Sequence, residues 1–383
     1  MSKSAIVIGA GIVGLATALA LGRRGYKVTV LERTQKAVGA SIRNFGMIWP
    51  IGQPEGILIE RALRSRAIWK EVCDEAGLWY NPSGSMHLVY TDLEAQVLEE
   101  FYEAAKGTRD CALLSAEEAG AESSAIVTKG LKACLYSADE MVVNPRMAIA
   151  SLPNYLTDRY GIEFIWNRTV TEIAYPFVWC AMEEYSADEI YVCTGADFET
   201  LYPAMYAAQP ITKCKLQMMR MASQRDNWQM GPSLCGGLSL AHYKSFAAAA
   251  SLPALTEYFQ QHFPEYVRWG IHVMVSQNEK GELTVGDSHE YGNTVEPFDK
   301  SAINTLILDY LKSFARFPDE TIMETWNGIY PKMTNGATEL VLHPEPGVTI
   351  INALSGAGMT LSFGLCEEVI ANNAAEFSVV QVG

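Results

Sequence analysis

Three glycines near the start of the chain, Gly9, Gly11 and Gly14 in AIVIGAGIVG, have the spacing of a phosphate-cradling turn. In that turn the first glycine allows the tight bend, the second lets the backbone approach a pyrophosphate, and the third lets helix and strand pack closely. The N–H groups that open the helix then face the phosphates. Glu32 ends the following VTVLE, where a carboxylate can accept both hydroxyls of a ribose and disfavours a 2′-phosphate. This chemistry needs a strand before the glycines and a helix after them. Residues 5–8 suit a short buried strand, residues 12–24 carry a helical apolar pattern that Gly25 ends, and residues 27–31 are β-branched and apolar. Together they form a strand–helix–strand unit for a dinucleotide.

Three later stretches bear on which dinucleotide it is. GASIRNFGMIWPIG (39–52) suits a chain running under an extended cofactor toward a flat ring. It supplies Ser41, Arg43, Asn44, Gly46 and Met47 to the cofactor, with Phe45 and Trp49 as candidate walls of the ring. Arg33, next to Glu32, belongs to the same group. SADEIYVCTGAD (186–197) reads as a strand entering a turn at Thr194 and Gly195, able to close over adenine and ribose. At the C-terminus a strand at 348–353 leads through Gly356 and Gly358 to Met359 and a helix from about Thr360. That is a second helix N-terminus, placed for the far end of a long cofactor, and Gly328 lies on the approach to it. Start, middle and end of the chain thus build one site, which favours FAD over a nicotinamide dinucleotide. No cysteine stands out as an attachment point, so the FAD is expected to be non-covalent.

The 383 residues exceed what one core accommodates, so two domains are expected. Residues 1–82, 140–206 and 325–383 are assigned to the cofactor, and 83–139 and 207–324 to a substrate domain rich in strands. A net charge of −15 argues against a nucleic-acid partner, though a local pocket can still be basic. No apolar run reaches membrane-spanning length, and the order of apolar and basic residues at the start is wrong for a leader, so a cytoplasmic protein is expected. The eight cysteines are scattered, as small buried hydrophobes in a reducing compartment would be. The six histidines show no metal-ligand spacing, and no metal is expected. Oligomeric state is left open by the sequence.

The combination of AIVIGAGIVG, TGAD and SGAGMTLS resembles the D-amino-acid oxidase superfamily, whose familiar members include glycine oxidase, sarcosine oxidase and D-amino-acid dehydrogenase. The resemblance covers essentially the whole chain. It implies an α/β fold: a glutathione-reductase-like FAD-binding Rossmann domain, with a discontinuous α+β substrate domain built on an antiparallel sheet. It also implies hydride transfer from a carbon beside nitrogen. In amino-acid oxidases of this kind an arginine typically grips the substrate carboxylate, commonly from the strand before the C-terminal glycines. Here that strand reads ETWNGIYPKMTNG (324–336), with Tyr330 and Lys332 where an arginine is looked for. A point charge and a neutral donor suit a bulkier tetrahedral anion as well as a carboxylate. The bland alternative puts Lys332 on the surface and Tyr330 against the ring. Other substrate candidates are Trp49, Tyr243 within AHYKSF, and His289, placed with Tyr291 in a turn of GDSHEYG. Lys244 beside Tyr243 is a weaker candidate for oxygen or an anion.

A narrower resemblance rests on GASIRNFGMIWPIGQPEG, GDSHEYG and WNGIYPKMTNG. These are similar to a subfamily associated with bacterial phosphonate breakdown. It implies oxidation of 2-aminoethylphosphonate or its N-methyl derivative to phosphonoacetaldehyde, with molecular oxygen reduced to peroxide. The residues alone reach an FAD-dependent amine oxidase with a non-standard anion anchor. An oxidase or dehydrogenase of glycine, sarcosine or D-amino acids remains open, as does a flavin-binding or assembly protein without turnover.

Overall fold

A computed structural model describes residues 2–380. The strand Ser4–Ile8 runs parallel to Lys27–Glu32 on one side and to Glu189–Val192 on the other. The helix Ile12–Arg23 connects the first two and is buried along most of its length, as its alanine- and leucine-rich sequence requires. A Cβ on Gly14 would stand 1.8 Å from the Gly9 carbonyl oxygen, so only glycine allows the helix to sit this close to the turn. The sheet has six strands, in the order Leu340–Glu345, Val348–Asn352, Glu189–Val192, Ser4–Ile8, Lys27–Glu32 and Glu163–Trp166. Its strands are parallel except for the antiparallel edge Leu340–Glu345. The helix Gly358–Val380 packs beside Ile12–Arg23 and against the helix Ile57–Ala76. There the buried Trp69 donates its indole N–H to the Met359 carbonyl (2.8 Å) and meets Phe363 edge-on.

A second, nine-stranded sheet carries the other half of the molecule. Its strands include Ser85–Val89, Cys111–Leu114, Ala133–Ser137, Ile211–Met221, Ser233–Gly236, Met274–Gln277 and Leu283–Gly286. The helix Asp92–Ala105 begins with a reciprocal cap between Thr91 and Glu94. The helix Ser301–Phe314 buries Ile303, Ile307, Leu311 and Phe314, a single apolar face. The strand Ile322–Met333 is antiparallel to Ile211–Met221 from end to end. The expected division between residues 324 and 325 therefore falls inside this strand, whose hydrogen bonds hold it to the larger sheet. The range 140–206 also contains a three-stranded meander, Glu172–Ala174, Phe177–Cys180 and Glu183–Ser186, outside both large sheets. Residues 1 and 381–383 of the assigned ranges lie outside the described residues. Among the described residues, no helix is long and apolar enough to cross a membrane.

Gly14→Ala tests the helix-to-turn contact. Overpacking at such a contact costs roughly 1–3 kcal/mol, so the denaturant midpoint of the apoprotein should fall; an unchanged midpoint would mean that the turn yields without cost.

Candidate active site

A cavity of about 1300 Å³ opens at the carboxyl ends of the parallel strands and reaches the larger sheet. This is where open α/β sheets place ligands. Its lining includes Gly9, Gly11, Glu32, Arg33, Ser41, Arg43, Asn44, Met47, Thr194, Gly195, Gly328, Gly356, Gly358, Met359 and Thr360. Gly14 and Gly46 stand behind it. Gly46, at φ +76°, brings its backbone against Val143, and a Cβ there would lie 2.0 Å from the Val143 carbonyl oxygen.

Local hydrogen bonds set the shape of the cofactor end. Glu32 Oε2 accepts from the Ala10 N–H (2.9 Å), while Oε1 accepts from the N–H and hydroxyl of Thr34. Oε2 thus keeps a lone pair for a ribose hydroxyl, and Thr34 already occupies Oε1. Ser41 Oγ accepts from the Ile12 N–H (2.9 Å) and ties the 39–52 stretch to the helix start. Asn44 braces that stretch, donating to the Ala40 and Ser41 carbonyls and accepting from the Gly46 N–H. Arg33 pairs with Asp197, and Arg43 donates to the Asn327 carbonyl. Asn352 donates to the Gly195 carbonyl, and Thr360 Oγ1 accepts from the Trp49 N–H (2.9 Å). Gly11 at the N-cap has no side chain to cap the helix, among the described residues Ser41 takes only the Ile12 N–H of that end, and a Cβ on Gly9 would meet the Cys193 carbonyl oxygen at 2.5 Å. A helix N-terminus behind a turn stripped of side chains fits a bound pyrophosphate.

The opposite end is aromatic and mixed in charge. Tyr330, Lys332, His289, Tyr243 and Trp49 all line it. Lys332 Nζ donates to the Tyr291 hydroxyl (2.9 Å) and lies 4.7 Å from the centre of that ring. Burial pushes the Lys332 ammonium below its ordinary value. Tyr330 is nearly covered, and burial holds its phenol well above the usual range. Trp49 and Tyr243 stand with ring centres 6.3 Å apart, and the buried Trp49 Nε1 has no partner. Lys244 is exposed and donates to the Gly336 carbonyl. Glu140 pins the loop that carries Trp49. Its fully buried carboxyl accepts from the Ile51 N–H (2.7 Å) and the Ser85 hydroxyl (3.0 Å), and burial raises it to about 7.

Two expectations need correction here. Tyr291 lies on a short strand, Glu290–Gly292, opposite Cys214, and not in a turn. The histidines are not all dispersed: the ring nitrogens of His242, His272 and His289 lie within 4.8 Å of one another. Asp287, which sequence reasoning passed over, is buried beside them. The cause is strand register. Met274 pairs with Gly286, so the residues flanking those two strands meet at one end of the sheet. The signal in the sequence was only that His272, Asp287 and His289 lie just outside strands; His242 ends the short helix Gly237–Ala241.

Fold and site together describe a Rossmann-type flavoprotein with a second sheet over its cofactor end. A family model described as DAO, FAD dependent oxidoreductase, matches residues 4–371, and the chain belongs to that family. A D-amino acid dehydrogenase of Helicobacter pylori is 26% identical over 259 residues, 51% of this chain and 61% of that protein. Among solved structures, glycine oxidase from Geobacillus kaustophilus superposes with a TM-score of 0.75 at 16% identity, covering 98% of this chain and 95% of that one. L-proline dehydrogenase from P. horikoshii gives 0.74 at 21%, covering 97% and 94%.

Glu32→Ala should purify with FAD substoichiometric, read from the ratio of visible to ultraviolet absorbance; a fully loaded variant would release Glu32 from the ribose. Glu140 makes a pH prediction. Its carboxyl binds a proton more tightly folded than unfolded, so stability present below its unfolded value of 4.5 is lost as pH rises toward about 7. Glu140→Gln should flatten that part of the stability–pH curve; an unaltered slope would assign it to other groups.

Proposed function

We propose that this protein oxidises a small amine that carries an anionic group, with 2-aminoethylphosphonate or its N-methyl derivative as substrate. The products are phosphonoacetaldehyde and ammonia or methylamine, with one water consumed and molecular oxygen reduced to hydrogen peroxide. Gly9, Gly11 and Glu32 would hold FAD without a covalent link, and the flavin would supply the hydride acceptor for the carbon beside nitrogen. The observation that carries this reading is Lys332, a cavity lysine braced by Tyr291, at the position where an arginine is looked for in amino-acid oxidases.

The chain's own residues have two tasks on this reading. Lys332 and Tyr291 present a positive charge and a hydroxyl to the anion, and a phosphonate returns to the buried ammonium the full charge that burial disfavours. Trp49, Tyr243 and Tyr330 wall the reacting carbon and exclude water. The three stretches that resemble the phosphonate-associated subfamily supply Trp49, His289, Tyr291, Tyr330 and Lys332, all at this end of the cavity except Tyr291, which supports it.

A second reading, oxidation of glycine, sarcosine or a D-amino acid, has one observation in its favour. Arg43 lines the cavity and is available to a carboxylate. The relatives described as a D-amino acid dehydrogenase and a glycine oxidase agree with it.

Anaerobic titration of the yellow protein separates the two. Bleaching of the visible flavin band by the two phosphonates and not by glycine, sarcosine or D-alanine is expected; bleaching by the amino acids alone would replace this reading with the second. Lys332→Ala should raise the apparent substrate constant about tenfold or more and leave the flavin spectrum intact. Normal turnover by that variant would remove Lys332 as the anchor.

A further inference from the structure

We propose that Asp287, backed by His272 and His289, is a cation subsite that receives the amino nitrogen of the substrate and one of its protons. This rests on the reading above only in taking the substrate to be an amine; which anion it carries is immaterial. Asp287 lines the cavity and is 5% exposed. Its backbone N–H donates to the His272 carbonyl (3.1 Å), which fixes it at the rim of the sheet. Among the described residues, no lysine or arginine pairs with its carboxylate. Its Oδ1 lies 3.2 Å from His272 Nε2 in a geometry that makes no hydrogen bond, and neither ring nitrogen of His272 has a partner. A buried carboxylate without a counter-charge is costly to leave unmatched.

The neighbouring ring supplies an acceptor. His289 Nδ1 is 2.7 Å from the Gly270 carbonyl and donates to it, so Nε2 carries the lone pair. That nitrogen is 3.9 Å from Asp287 Oδ2, close enough for one ammonium to bond both. The His242 and His272 ring centres lie 3.7 Å apart at a tilt of 31°, and burial pushes the His272 imidazole well below its ordinary value. The recess therefore presents lone pairs and one carboxyl, and no fixed positive charge of its own. His242, Tyr330 and Lys332 face it within the same cavity. The His289 and Tyr291 rings lie 6.2 Å apart, so the recess and the Lys332–Tyr291 pair are separated by about the length of a small zwitterion.

A metal ion fits less well. It has to lie in the plane of each ligating ring at about 2.0–2.1 Å. The three rings are inclined to one another by only 14° to 32°, so their in-plane lone pairs run side by side and do not converge. An ammonium, with several N–H bonds to distribute, tolerates that arrangement. In the proton step an N–H bond of the ammonium breaks and an O–H bond forms on Asp287. The nitrogen keeps the electron pair that becomes the C=N bond when the adjacent carbon gives up hydride.

The test is calorimetry on the reduced, oxygen-free holoenzyme, where no amine is consumed. Two matched pairs are titrated: 2-aminoethylphosphonate against ethylphosphonate, and glycine against acetate. Within whichever pair binds, the amine should bind about tenfold or more tightly than its partner, as a hydrogen bond to a charged group does. Asp287→Asn should bring that ratio to about one with the amine-free compound unaffected. A ratio retained in the variant overturns the subsite; equal weakening of both compounds makes Asp287 merely structural and overturns it too. The wild type alone gives a second test. Among the described residues Asp287 has no counter-charge in the free site, and burial pushes its carboxyl well above the ordinary value, so an ammonium that pairs with it displaces a proton to solvent. Titration in buffers of different ionisation enthalpy should show about one proton released by the amine and none by its partner; no difference between them refutes the proposal. A stoichiometric transition metal in the purified protein would do the same. Binding of the carboxylate pair alone would reject the phosphonate reading and leave the subsite to be decided by its ratio. Binding of neither pair counts against both.

Discussion

The antiparallel pairing of Ile211–Met221 with Ile322–Met333 is the constraint on which the rest of the site depends. Its register sets Cys214 opposite Tyr330 and Thr212 opposite Lys332. The other edge of the same strand sets Cys214 opposite Tyr291. Lysine and both tyrosines meet because three strands share one alignment. A slip of one residue would turn Lys332 to the opposite face of the sheet. The pair also reaches toward the cofactor: a Cβ on Gly328 would lie 3.1 Å from the Arg43 carbonyl oxygen, and its absence lets the cofactor stretch lie against the substrate sheet.

Burial then acts in opposite senses on the groups in the cavity. It disfavours the ammonium of Lys332 and the carboxylate of Asp287 alike. The buried imidazoles beside Asp287 are pushed below their ordinary value, His289 to about 4. On the proposed reading, a small zwitterion supplies the opposite charge to each end and removes both penalties together. A ligand with only one charged end relieves one of them.

Local signals in the sequence were legible where the physics is local. Gly9, Gly11, Gly14 and Glu32 lie within one strand–helix–strand unit, and that unit forms as its spacing implies. The glycines before the C-terminal helix are read from residue type in the same way. The histidine–aspartate recess was not legible, because it comes from the pairing of Met274 with Gly286, and register leaves no mark on residue spacing. Tyr291 was misplaced because a three-residue strand is too short to show a period of two. The meander at 172–186 escaped for a related reason: its strands are only three or four residues long, and its exposed positions mix glutamates with Ala174 and Phe177.

The order of strands in the smaller sheet has a consequence for synthesis on the ribosome. Ser4–Ile8 is a central strand, and one of its two neighbours, Glu189–Val192, emerges only after some 160 further residues beyond Lys27–Glu32 have been made. At about 5–20 residues per second, that interval is on the order of ten seconds or more. Throughout it, one edge of this apolar strand is complete but unpaired, a template for any other strand nearby. The nascent chain therefore carries an unpaired strand edge at its cofactor-binding end until Glu189–Val192 arrives.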